Sequence, residues 1–211
     1  MKKMRRIVAS LLLSVAGSVM FASGLSLDSV CRQLADHPNT TGDFIQTKTI
    51  KAANRQLKSF GKFVFSLDGI IWDTQKPFPS SLVVGMTSVI QTAADGKKTV
   101  IDASGNQIFT SIATTLSSVF SNDLSSLQKN FSTEFTDNGD GGWTLVLFPK
   151  DATVSAVMAS LSLGGVSSSS GARLDTIVMT EASGNSITYS FSNQKYPEEL
   201  SADEKSRFTA E

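Results

Sequence analysis

The sequence is poor in the residues that do chemistry: it has one cysteine, Cys31, and one histidine, His37, in 211 residues. A single cysteine excludes an intramolecular disulfide, and one cysteine with one histidine leaves no zinc ligand set. A Ser-His-Asp arrangement would have to use His37, which ends a helical pattern directly before Pro38, a place for a surface or capping residue. The stretch "DNGDG" at 137–141 has calcium-loop composition, but it is too short, lacks the terminal glutamate and reads as a hairpin turn. The other carboxylates are scattered through turns such as those at Asp68, Asp95 and Asp140. No catalytic or metal-binding residue is assigned, no cofactor is expected, and the chain reads as a non-enzyme.

Long hydrophobic runs are also missing after residue 24. The run Ile7–Phe21 has fifteen residues, fewer than the roughly 20 a spanning helix needs. It follows Lys2, Lys3, Arg5 and Arg6 and precedes Ala22-Ser23-Gly24, so residues 1–24 read as a cleaved signal peptide and 25–211 as one domain in the periplasm. Removal of that segment leaves fifteen positive charges against nineteen negative, a formal net of −4, which argues against nucleic acid as a partner. Cys31 lies too far past the apolar run for a lipoprotein signal, and Asp28 stands where a small apolar residue would be wanted; it reads as a buried helix residue.

What is present is pattern. Leu27, Val30, Cys31 and Leu34 mark an amphipathic helix over 26–36. From Gly42 to Thr99 the sequence reads as β, with strands expected at 43–52, 59–67, 69–75, 81–86, 88–94 and 97–102 and connections short enough for antiparallel neighbours. Ile112, Leu116, Val119 and Phe120 line one helical face, and Leu124, Leu127 and Phe131 continue beyond a cap at Ser121 or Asn122. Strands are expected again at 131–136, 142–149, 172–182 and 185–193. "DATVSAVMASLSLGG" reads as a helix with Val154, Val157, Met158 and Leu161 inward. The fold class is mainly β (α+β): about ten strands in an antiparallel meander, with short helices over the concave side.

Alternation places Phe63, Phe65 and Leu67 on one face of their strand, Ile70 and Trp72 on one face of the next, then Leu82 with Val84, and Trp143 with Leu145 and Leu147. Periodicity alone reads these faces as a sheet-on-helix core and shows no cavity.

The segments "TGDFIQTK", "SFGKFVF", "GIIWDTQKPFP", "LVV" and "DGGWTLVLFPKD" occur in the order seen in the LolA-like family of outer-membrane lipoprotein carriers. The chain resembles a divergent LolA-related branch over essentially all of 25–211. The resemblance implies an incomplete antiparallel β-barrel of about eleven strands, closed by a helical lid over an apolar cavity for acyl chains. It makes Phe63, Phe65, Ile70, Trp72, Leu82, Val84, Trp143, Leu145 and Leu147 the expected cavity wall, and Ile112, Leu116, Val119 and Phe120 the expected lid. One departure is visible: the lid-holding arginine of the main carriers has no counterpart in "SLDGIIW". The implied function is a soluble periplasmic carrier of lipoproteins or lipids, a monomer that takes cargo from an inner-membrane exporter and gives it to an outer-membrane acceptor. The alternative is an envelope-assembly subunit of the same fold, with a filled core and a protein partner.

Overall fold

The computed structural model describes residues 24–85, 88–102 and 107–209. The expected signal peptide lies outside these residues apart from Gly24. Helix α1 (Leu27–Ala35) starts where Ser26 and Ser29 cap each other reciprocally, and it buries Val30, Cys31 and Leu34 on one stripe. Strands β1 (Thr40–Ile50), β2 (Arg55–Ser66), β3 (Gly69–Lys76), β4 (Ser80–Gly85), β5 (Ser88–Thr92) and β6 (Lys98–Asp102) follow as a meander. Then come helices α2 (Gln107–Phe120) and α3 (Leu124–Asn130), strands β7 (Phe131–Gly139) and β8 (Gly142–Pro149), and the single turn α4 (Ala152–Ser155). Strands β9 (Met158–Ser168), β10 (Gly171–Glu181) and β11 (Ser186–Lys195) and helix α5 (Ala202–Arg207) complete the order.

These eleven strands join one antiparallel sheet in the order β6-β5-β4-β3-β2-β1-β11-β10-β9-β8-β7. The edges β6 and β7 are not paired with each other, so the sheet is an open half-barrel. The last strand lies against the first, with Phe44 opposite Phe191 and Gln46 opposite Tyr189. The β2–β3 hairpin requires glycine at 69: its φ is +142°, and a Cβ there would lie 2.0 Å from the Val84 carbonyl oxygen.

Three expectations are corrected. The cap of α3 is Asp123, whose Oδ1 accepts from the Ser126 backbone N–H at 3.0 Å, and not Ser121 or Asn122. Residues 158–168 form a strand, because Leu161 and Leu163 alternate with Ser160 and Ser162 at period two and lead into Gly164-Gly165. The helix stops at Ser155, and Val157 is 45% exposed rather than inward. This strand is the eleventh, one more than the ten read from the pattern. Leu67 does not share the face of Phe63 and Phe65, since β2 ends at Ser66 and Leu67 sits half exposed in the turn. Helix α5 is an addition to the expected elements; its signal is the capping box of Ser201 and Glu204.

The two faces of the sheet are covered differently. The inner face carries one large apolar cluster, shared with α1, α2, α3 and α4. On the outer face a small cluster of Val64, Ile71 and Val83 is covered by Leu200 and Phe208, which flank α5.

Candidate functional site

Cross-strand register brings the expected wall residues together. Phe63 lies opposite Trp72, Phe65 opposite Ile70, Ile70 opposite Val84, and Trp72 opposite Leu82, so these side chains share the inner face of β2, β3 and β4. On the other arm of the half-barrel Leu145 lies opposite Leu163, Leu147 opposite Leu161, and Trp143 opposite Gly165. The glycine makes room for the indole: a Cβ at 165 would lie 2.8 Å from Trp143 Cζ2. Both arms meet in one cluster that includes all nine wall residues, with Leu82 only partly buried.

The expected lid residues sit against the same cluster. Leu116, Val119 and Phe120 of α2 are buried in it, and Ile112 is partly buried. The Phe120 ring lies 6.0 Å from that of Phe65, which in turn meets Trp72 edge-on at 6.1 Å. Aliphatic and aromatic contact thus joins α2 to the sheet in a chain that has no arginine between Ser66 and Trp72.

The closing strands add residues absent from the expected wall. Phe44, Tyr189 and Phe191 complete the aromatic belt: Phe191 lies 4.6 Å from Phe63 and 5.2 Å from Phe65, and Tyr189 lies 5.4 Å from Trp72 and 5.8 Å from Phe44. The alternation of Tyr189 and Phe191 is the sequence signal that marks them. Burial pushes the Tyr189 phenol up to about 12, so it stays neutral at physiological pH. Leu161, Leu163, Leu174 and Ile177 of β9 and β10 add an aliphatic floor.

Two polar atoms stand out in this apolar setting. The indole N–H groups of Trp72 and Trp143 are buried and have no hydrogen-bond acceptor among the described residues. The buried wall and lid side chains are closely packed, with exposures of 0–6%. Clefts of 360–520 Å³ open elsewhere, and of the wall residues only Phe63 borders one of them. The 520 Å³ cleft runs along the polar side of α2, from Ser111, Thr114 and Ser118 towards Lys150 and Asp151, and is not the apolar space expected under the lid.

Among the described residues no group of three or more histidine, cysteine, aspartate or glutamate side chains could hold a metal ion, and no helix is long and apolar enough to cross a membrane. Residues 38–208 match the sequence model of the family described as outer membrane lipoprotein carrier protein LolA. No curated protein matches the sequence. Among solved structures, a DUF1329 family protein from Desulfovibrio piger aligns with a TM-score of 0.51 at 10% identity, over 83% of this chain and 92% of that one. A LolA superfamily protein from Nitrosomonas europaea aligns with a TM-score of 0.47 at 11% identity, over 88% of this chain and 98% of that one. The lipoprotein LppX of Mycobacterium tuberculosis gives 0.42 at 11% identity, over 83% and 98%. At such identities likeness concerns the fold alone.

Proposed function

The chain belongs to the outer membrane lipoprotein carrier protein LolA family, and from that membership and the shared apolar cluster of sheet and α2 we propose that it carries acyl chains of lipoproteins or lipids. In this reading residues 25–211 are one lipid-binding domain that works in the periplasm after a signal peptide is removed. The protein acts as a monomer, without cofactor and without catalysis. An inner-membrane exporter loads it and an outer-membrane acceptor unloads it.

The observation that carries the reading is the composition of the cluster: the residues under α2 are aromatic or aliphatic, and its two buried unpartnered polar atoms are indole donors. An acyl chain needs an apolar wall, and its ester or amide carbonyl needs a donor. Phe63, Phe65, Ile70, Trp72, Leu82, Val84, Trp143, Leu145 and Leu147 supply the wall, and the indole N–H groups supply the donors. Each buried methylene contributes roughly 0.8 kcal/mol, so a single long chain provides ample binding energy without a charged site. Because the wall is packed against α2, cargo enters by displacing Ile112, Leu116, Val119 and Phe120, exchanging helix contact for acyl contact.

The close packing of wall and lid also favours a second reading, an envelope-assembly subunit whose interior is never opened. One experiment separates them. The protein is purified without detergent, its bound lipid is extracted and weighed by mass spectrometry, and an environment-sensitive acyl probe is titrated in. Stoichiometric lipid or saturable probe binding supports the carrier; absence of both supports the filled subunit.

A further inference from the structure

The loops at the two ends of the strands differ in charge. At one rim lie the turn 51–54, the loop 77–79, the turn 93–97, the segment 150–157 and the turn 182–185. This rim and the strand residues beside it carry Lys51, Arg55, Lys76, Lys97, Lys98 and Lys150, all exposed, against Asp95, Asp151 and Glu181. The three acidic groups are occupied: Glu181 pairs with Lys48 at 3.3 Å, Asp151 caps α4, and Asp95 accepts from the Lys97 backbone. Among the described residues none of the six cations makes an ion pair. The opposite rim carries Asp36, Asp68, Asp140, Glu198 and Glu199 against Lys195 and Lys205, of which Lys205 pairs with Glu199, and its Arg173 is paired with Asp175. A chain with an acidic net charge after residue 24 therefore presents a basic end.

The same rim carries an exposed ring. Phe78 is 77% exposed, the largest exposure among the big apolar side chains described, and stands between Pro77 and Pro79. Neither proline has a backbone N–H, so this tip can enter a less polar medium with fewer donors to leave unpaired. Leu57 and Val157 are also about half exposed near this rim. An unpartnered ring at the tip of a basic rim matches an anionic bilayer: phosphates attract the cations while the ring settles at the headgroup boundary.

We infer that this rim docks the protein on an anionic lipid surface, with Phe78 entering the interface and Lys51, Arg55, Lys76, Lys97 and Lys98 meeting headgroup phosphates. The docking surface is separate from the acyl-binding cluster and does not depend on cargo.

The test is co-sedimentation of the protein with vesicles of phosphatidylcholine alone and of equal parts phosphatidylcholine and phosphatidylglycerol. Binding is expected only with phosphatidylglycerol and should weaken at high salt. Lys76→Gln should lower the partition constant roughly fivefold, and Phe78→Ser about tenfold or more, while both variants keep the unfolding midpoint of the parent. In Phe78→Trp the added indole emission should shift to the blue on anionic vesicles. Binding that is absent, equal on both vesicles, or indifferent to Phe78 and Lys76 overturns the proposal. Acyl-probe titration of Phe78→Ser keeps the two readings apart, since loss of vesicle binding with probe binding retained concerns the rim alone.

Discussion

Arg207 in α5 holds Asp73 of β3 through two hydrogen bonds, Nη1 to Oδ2 at 2.7 Å and Nη2 to Oδ1 at 2.6 Å, and Nη2 also donates to Ser81 Oγ at 2.8 Å. This fork fixes a six-residue helix over the outer face of the sheet, where Leu200 and Phe208 cover Val64, Ile71 and Val83. About a third of each partner's side chain remains exposed, so solvent screens the pair. Arg207→Ala should cost about 1 kcal/mol in urea unfolding. It should also increase amide exchange in α5 and leave the inner-face cluster folded.

The same pair predicts a pH dependence. Burial raises the Asp73 carboxyl, but hydrogen bonds from Arg207 and Ser81 outweigh it and hold the group below the usual aspartate range. A depressed folded value means that the contribution is present above the unfolded value, about 3.9, and is lost as pH falls through the lower folded one. Asp73→Asn should therefore be less stable than the parent near neutrality, and the two should converge in acid. A constant difference across the titration would place the effect in packing.

Cys31 supplies a probe of the front helix. Burial, with a smaller effect from Asp28, pushes its thiol up to about 12, so little thiolate forms at mildly alkaline pH. A thiol-specific reagent should react with the native protein slowly. Reaction should accelerate at the urea midpoint seen by circular dichroism, and earlier labelling would show that α1 leaves the sheet before the rest unfolds.

The strands of the first half are legible in the sequence because each pairs apolar alternation with a punctuating turn, as at Asp68-Gly69 and Asp95-Gly96. Residues 152–168 are not, since Val154, Val157, Met158 and Leu161 also fit a helical stripe; only the tighter alternation of Leu161 and Leu163 with serine identifies the strand. The faces of the expected wall and lid residues can be read in the sequence, but which strands meet across the half-barrel depends on long-range register. That is why the place of Phe191, against both Phe63 and Phe65, does not show in the sequence. Whether a face is packed or hollow is likewise beyond alternation, which sets direction and not volume.

The unpartnered indoles lead to a paired prediction. Trp72→Phe and Trp143→Phe each remove a buried donor, a relief of about 1–3 kcal/mol that offsets the lost ring volume, so stability should stay within about 1 kcal/mol of the parent. If those donors meet a cargo carbonyl, an ester-linked acyl probe should bind several-fold more weakly, while an all-hydrocarbon probe of equal length is affected less. Equal losses for both probes would assign the indoles to shape alone.

Phe120 offers the sharpest separation of carrier from filled core, because it meets Phe65 from the lid side. Phe120→Leu keeps the residue apolar and should cost about 1 kcal/mol of stability. In a carrier whose lid competes with cargo, that loss falls on the closed arrangement, so the open one is more populated and the acyl probe binds up to about fivefold more tightly. In a core that never opens, the same substitution lowers stability and creates no affinity. Calorimetric unfolding and probe titration on one variant give the answer: weaker folding together with tighter binding identifies α2 as a gate, whereas weaker folding with unchanged or absent binding makes Phe120 a core residue and removes the gate from the carrier reading.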